Sequence, residues 1–231
     1  MLILSTMDTT HRQVITISVG IVKAFLIRGK GNILVDTGIA GTERKVLNEI
    51  RNAGVRIEDI SLVVLTHVHS DHTGGLYEIK KRTGARVAVH KSEAGFLKQG
   101  RSADIKPSSF LGRIVFPFLR NSSFRSVKPD IEIDEELSLD EFGIEGTVIH
   151  TPGHTDGSVS AMLSTGEAII GDLFSGKGMK RKAGRPMFAT SMEKLKTTLD
   201  KIMEHDPQVI YTSHGGICSV EAVRKLRAQI G

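Results

Sequence analysis

The stretch Thr66-His67-Val68-His69-Ser70-Asp71-His72-Thr73-Gly74-Gly75 sets four metal-ligating side chains within six positions, and no other ten residues of the chain do so. The apolar run Ile60-Ser61-Leu62-Val63-Val64-Leu65 leads straight into it, and Thr73-Gly74-Gly75-Leu76 opens a helical pattern behind it. The four side chains therefore stand on a strand-to-helix loop. His67 and His69, two positions apart, project to one side of an extended segment, whereas Asp71 and His72 fall where the chain turns. Two neighbouring ligand sets follow. A solvated His-rich surface loop is the plain alternative, but composition alone rarely produces such a pattern.

Four side chains cannot close two metal sites, so further donors must recur at the ends of other strands. Three apolar runs end that way: Thr147-Val148-Ile149-His150 before Thr151-Pro152-Gly153-His154, Glu167-Ala168-Ile169-Ile170 before Gly171-Asp172, and Gln208-Val209-Ile210-Tyr211 before Thr212-Ser213-His214. The series His-x-His-x-Asp-His, then one His, one Asp and one His, resembles the metallo-β-lactamase superfamily, and the likeness runs from Val35-Asp36-Thr37-Gly38 to His214. The resemblance implies an α/β fold, the four-layer αββα sandwich. It puts one metal on His67, His69 and His154, a second on Asp71, His72 and His214, and Asp172 between them. It also implies that Asp36 supports the metal loop from behind; a carboxylate capping its own turn is the competing reading.

Imidazole nitrogen and carboxylate oxygen suit zinc, and a catalytic site keeps a position for water. Two ions about 3.5 to 4 Å apart bring the pKa of a shared water toward neutrality and polarise the attacked oxygen, so hydrolysis without a serine or cysteine nucleophile is the expected reaction. The expectation is two zinc ions per chain, iron and manganese being metals that the same donors accept, with Asp71 and Asp172 as catalytic residues. Within the superfamily, Asp172 stands where the commonest lactamases carry a cysteine, which points to ester, thioester or lactone cleavage. Gly171-Asp172-Leu173-Phe174-Ser175-Gly176 and Thr151-Pro152-Gly153-His154-Thr155 are similar in wording to loops of glyoxalase II. The lactonases' tyrosine after the bridging aspartate is absent here. The alternatives are an iron-dependent oxidoreductase of the persulfide dioxygenase type and a phosphodiesterase on the same fold. His11, His90, His150 and His205 lie outside the pattern and read as surface or hydrogen-bonded core histidines.

A chain of 231 residues with 39% hydrophobic and 25% charged residues fits one soluble domain, and the lone Cys218 excludes an internal disulfide framework. Cys218 reads as a small buried residue whose nearness to His214 leaves redox sensitivity open. The first residues, Met1-Leu2-Ile3-Leu4-Ser5-Thr6-Met7-Asp8, lack the basic and apolar regions of an export signal, and no run reaches the length of a membrane span; a cytoplasmic protein is expected. The partner is a small-molecule substrate, with no nucleic acid expected and a homo-oligomer left open.

The net charge of +5 is uneven: residues 98–128 hold seven cations against Asp104, and residues 177–185 hold five cations and no acid. Lys177, Lys180, Arg181, Lys182 and Arg185 begin five residues after Asp172, on a loop loosened by Gly176, Gly178 and Gly184, and are read as holding an anionic substrate; a solvated face is the alternative. Residues 98–128, apolar and cationic, interrupt the fold pattern as a lid insertion, with a dimer-forming arm and a membrane-surface segment as rivals.

The remaining pattern is strand and helix in alternation. Strands are predicted at 14–17, 24–27, 32–36, 86–90, 147–151, 158–163 and 167–171. Helices are predicted after Thr42 with Gly54 as stop, over 75–82 with Gly84 as stop, from Ser191 to about Glu204, and after Ser219. The acidic alternation of 131–139 predicts an exposed hairpin.

Overall fold

The structure, a computed structural model, describes residues 13–119, 121–177 and 182–230. Alternation along the strands decides where side chains go. In β2 (Val22–Arg28), Ala24 and Leu26 point one way and Phe25 and Ile27 the other, and all four are buried. A strand buried on both faces lies between two layers. β2 belongs to a six-stranded sheet with β1 (Val14–Val19), β3 (Asn32–Val35), β4 (Ile60–Val64), β5 (Arg86–His90) and β6 (Ile131–Ile133), in chain order across the sheet.

One face of this sheet meets α1 (Glu43–Asn52) and α3 (Leu76–Thr83) through Val46, Leu47, Ile50, Leu76 and Ile79, with α2 (Ser70–Thr73) lying before α3. Leu97 of α4 (Ala94–Gln99) closes the same layer, and α5 (Phe110–Leu119) follows it in the chain. The other face packs on a second six-stranded sheet: β14 (Gly216–Cys218), β13 (Val209–Thr212), β10 (Glu167–Ile169), β9 (Val159–Leu163), β8 (Gly146–His150) and β7 (Glu136–Ser138), in that order. Phe25, Val35, Leu62 and Val64 meet Val148, Ala161, Ile169 and Tyr211 between the sheets. The outer face of the second sheet is covered by Leu195, Leu199 and Ile202 of α6 (Met192–Glu204) and by Val223 and Leu226 of α7 (Val220–Gln229). Helix, sheet, sheet, helix is the αββα sandwich.

Most predicted elements form within a residue or two of their expected bounds. Gly84 ends α3 with φ of 70°, and the hydroxyls of Ser191 and Ser219 accept from Lys194 N at 3.1 Å and Ala222 N at 3.2 Å. Thr42 stands at the start of α1, but its φ and ψ of −100° and 2° are not extended, and its hydroxyl donates back to Ile39 O at 2.6 Å instead of capping the helix.

Two expectations are corrected. Residues 131–139 do not form a hairpin: β6 lies parallel to β5 and β7 antiparallel to β8, so the chain crosses between sheets at Asp134 and Glu135. Ile133 is buried between the sheets, and each strand satisfies the open backbone edge of a different neighbour. Residues 175–177 and 182–184 are not free loop, because β11 (Ser175–Lys177) and β12 (Lys182–Gly184) pair antiparallel, and Ala183 packs against the outer core of the second sheet.

Candidate metal centre

The strands β8, β10 and β13 run in one direction, so their carboxyl ends deliver the 151–154, 171–172 and 212–214 loops to one rim. The loop after β4 reaches the same rim from the other sheet and is tied there by Val159 N to Thr66 O at 2.8 Å. Two glycines allow the crowding. A Cβ on Gly74 would lie 2.2 Å from Ala40 N, and Gly171, at φ of 57°, would press a Cβ to 2.8 Å from Thr66.

At this rim all seven sequence-expected donors meet. His67, His69 and His154 form one cluster, with His154 Nε2 3.2 Å from both His67 Nε2 and His69 Nδ1. Asp71, His72, Asp172 and His214 form the other; His214 Nε2 is 3.1 Å from Asp71 Oδ2 and 3.2 Å from Asp172 Oδ2. Asp172 Oδ2 also lies 3.4 Å from His72 Nε2 and 3.9 Å from His154 Nε2, so one carboxylate oxygen reaches both clusters.

Four of the five rings are held from behind. Thr66 Oγ1 donates to Asp36 Oδ2 at 2.8 Å and so accepts from His67 Nδ1 at 3.0 Å, which leaves the His67 Nε2 lone pair toward the cluster. His154 Nδ1 donates to Phe188 O at 2.8 Å and His214 Nδ1 to Ile21 O at 3.0 Å. His72 Nδ1 meets Asp36 Oδ2 at 2.7 Å, and Asp36 Oδ1 accepts from Thr66 N at 2.8 Å. Asp36 therefore braces the metal loop and does not cap its own turn.

Burial holds His67 well below the ordinary imidazole value, brings His69 down to about 3 and lowers His154, so this cluster offers neutral rings. In the mixed cluster burial opposes protonation too, but Asp172, Asp71 and Asp36 carry His72 well above the usual value, and Asp172 and Asp71 push His214 up to about 10. Burial works against ionising Asp71 and Asp172, yet the neighbouring histidines hold both carboxyls low. The carboxylates that favour protons on His72 and His214 would equally favour a cation among them, which would compete with those protons. Buried His69 Nε2, His72 Nε2 and Asp172 Oδ1 have no hydrogen-bond partner among the described residues. Orphaned polar atoms beside convergent nitrogen and carboxylate donors fit a divalent metal.

The sequence reading missed Glu93. It is 2% exposed; its Oε2 accepts from Val68 N at 2.5 Å and its Oε1 from Gly157 N at 3.1 Å. It thereby joins the 67–69 loop to the loop after His154. Its one sequence trace is its position just past the end of β5, where site residues of other strands also stand.

The cations fare differently. Lys182 is exposed and pairs in register with Lys177, one position beyond Gly176, whose N–H donates to His214 O at 2.9 Å. The Arg185 guanidinium donates to Gln229 O at the end of α7. Lys180 and Arg181 lie outside the described residues, as do the side chain of Lys177, His11 and the first residues of the chain. His90, buried, and His150, partly exposed, stack on each other at 3.9 Å. Cys218 is buried and its thiol is pushed up to about 11 by burial, which disfavours the reactive thiolate.

The family model described as the metallo-β-lactamase superfamily matches residues 17–214. A probable metallo-hydrolase of Methanocaldococcus jannaschii is 34% identical over 158 residues, 68% of this chain and 69% of that protein. An acyl-coenzyme A thioesterase of Homo sapiens is 31% identical over 150 residues; the match covers 58% of this chain and only 51% of the thioesterase. A solved metallo-β-lactamase of Cronobacter sakazakii shares the fold at a TM-score of 0.68 and 19% identity, over 94% of this chain and 88% of that one. Fold, donors and relatives together define a metal-dependent hydrolase. The chain belongs to the metallo-β-lactamase superfamily. Among the described residues no helix is long and apolar enough to cross a membrane.

Proposed function

We propose that the protein is a di-metal hydrolase, with zinc as the metal, that cleaves an ester, thioester or lactone carbonyl. The observation that carries this reading is Asp172, whose Oδ2 stands within 3.9 Å of nitrogens from both clusters. In this reading His67, His69 and His154 hold one ion, Asp71, His72 and His214 the other, and Asp172 serves both. When bound, the pair supplies Lewis acidity and a water acidified toward neutrality. The chain's own part is to hold the donors: Asp36, Thr66 and the backbone carbonyls of Phe188 and Ile21 keep four of the five ring tautomers set before any ion arrives. Asp71, 31% exposed at its side chain, is the carboxylate placed to pass a proton to the leaving group. A single iron site needs only part of this donor set, which favours hydrolysis over oxygen chemistry.

The thioester class draws support from the human thioesterase relative, matched over half its length. Ser102 and Ala103, near the start of the 98–128 segment, stand against the metal loop: Ser102 Oγ accepts from Ser70 N at 3.1 Å and Ala103 N donates to Val68 O at 2.6 Å. We assign the segment the role of cover.

Purified protein is expected to carry about two divalent ions per chain, and hydrolysis of a chromogenic ester or an acyl thioester should disappear on chelation and return with zinc. Asp172→Ala, which removes the shared carboxylate, should lose at least one ion and about a hundredfold or more in kcat/KM. Full turnover by metal-free protein, or oxygen uptake in place of hydrolysis, would overturn the reading.

A further inference from the structure

Helix α5 leaves its largest apolar side chains uncovered. Phe110, Leu111, Ile114, Phe118 and Leu119 are 81%, 56%, 54%, 81% and 40% exposed, and among the described residues only Ile21 and Ile39 are other large apolar side chains so exposed. Phe110, Ile114 and Phe118 recur at four-residue intervals, so they form one stripe along the helix. The opposite face is seated on the protein. Gly112 is buried where a Cβ would lie 2.4 Å from Met187 O, and Ser108 N donates to Met187 O at 3.0 Å. The stripe is therefore a firmly placed surface and not a loose end.

The stretch of sequence that carries it holds one sign of charge. From Ile105 to Pro129 the sequence has five cations and no acid. Arg125 is taken by Glu78 at 3.1 Å, but Lys106, Arg113 and Lys128 are exposed and make no ion pair among the described residues.

We propose that α5 docks the protein on a lipid surface bearing anionic headgroups. An apolar stripe enters the boundary between headgroups and acyl chains while flanking lysines and arginines meet the anionic phosphates. A second copy of the chain fits less well, because a two-fold interface would set Lys106, Arg113 and Lys128 against their own kind. The segment is also wired to the metal rim. Ala189 N donates to Lys106 O at 2.9 Å, and the neighbouring Phe188 O holds His154. Docking on α5 thus holds lipid against a segment bonded to the metal rim, which, if the hydrolase reading holds, suits a substrate with an acyl chain.

The test is flotation of the metal-loaded full chain with vesicles of phosphatidylcholine and with vesicles of phosphatidylcholine and phosphatidylglycerol mixed. Partitioning should favour the mixed vesicles by about tenfold, weaken with added salt, and fall by about tenfold or more in Phe110→Ser/Phe118→Ser. Arg113→Glu/Lys128→Glu, which leaves the stripe intact, should lose the preference for anionic vesicles. Melting temperature, metal content and turnover of a soluble ester should stay unchanged in both variants, so failure of docking and failure of the hydrolase reading are separable. The proposal is overturned if wild type floats with neither vesicle, or if the serine variant floats as well as wild type. It also falls if the stripe instead holds a concentration-dependent dimer that the serine variant dissolves without any vesicle binding.

Discussion

Glu93 is a buried acid that touches no proposed ligand, yet it accepts from the backbone of two ligand loops. Glu93→Ala would leave Val68 N and Gly157 N buried without partners, at about 1 to 3 kcal/mol each. Zinc affinity of the three-histidine cluster should fall by about ten- to a hundredfold, as outer-shell partners typically do, while the mixed cluster changes little; competition with a chromophoric chelator reads both. Burial pushes the Glu93 carboxyl up to about 7 against an ordinary 4.5, even though Thr155, Val68 and Gly157 bonds work the other way. The folded chain therefore keeps a proton on Glu93 that the unfolded chain loses, so Glu93's own part of the stability curve of the metal-free protein should fall as pH rises from about 4.5 to about 7 and then level off, against the rise that the depressed His67, His69 and His154 contribute toward pH 6.5. Glu93→Gln should flatten that part of the curve. The seven donors were legible in the sequence because each position demands one of a few residue types at a strand end. Their supports were less so: Ile21 and Phe188 act through carbonyls that any residue would offer, and Glu93 matters only through amides that folding brings to it.

Elements were legible where one periodicity acted alone. Alternation in β2 and the spacing of Val46, Leu47 and Ile50 in α1 each reflect a single packing face or pair of faces. Residues 131–139 alternate just as well, but the pattern says nothing about which sheet a strand joins, and β6 and β7 join different ones. The paired β11 and β12 were hidden by their glycines, which read as looseness although Gly176 is packed against Gly215. β11 lies beside His214, to whose carbonyl Gly176 N donates, so the cationic run that follows it in the sequence is where recognition of an anionic substrate is to be sought. Replacing Lys180, Arg181 and Lys182 together by Ala should raise KM for an anionic thioester about tenfold with kcat nearly unchanged, and leave a neutral ester of similar size unaffected. An equal effect on both substrates would reduce the run to surface charge. Arg185, engaged with Gln229, should contribute nothing to that difference.

On the scale of the molecule, the donors come from both sheets, so bound ions should stabilise the sandwich as a whole. With free zinc at about a hundred times its dissociation constant, one ion adds about 2.7 kcal/mol, which for a domain of this size is about 5 to 10 °C in Tm. Scanning calorimetry before and after chelation checks this, and an unchanged Tm would mean that the clusters take no ion in the folded state. The same distribution of donors bears on how the protein is made. Asp71 and His214, which lie 3.1 Å apart in the finished fold, are separated by 143 residues of chain. At a synthesis rate of about 5 to 20 residues per second, the His67 to His72 loop leaves the ribosome roughly 7 to 30 seconds before its last partner does. Until His154 emerges, four strong ligands are presented with no complete cluster to enter, and any ion they meet can be held only loosely and given up again. Filling of the mixed cluster would thus be a closing event of biogenesis, with the supply of ions mattering near the end of translation, when the second sheet delivers its share.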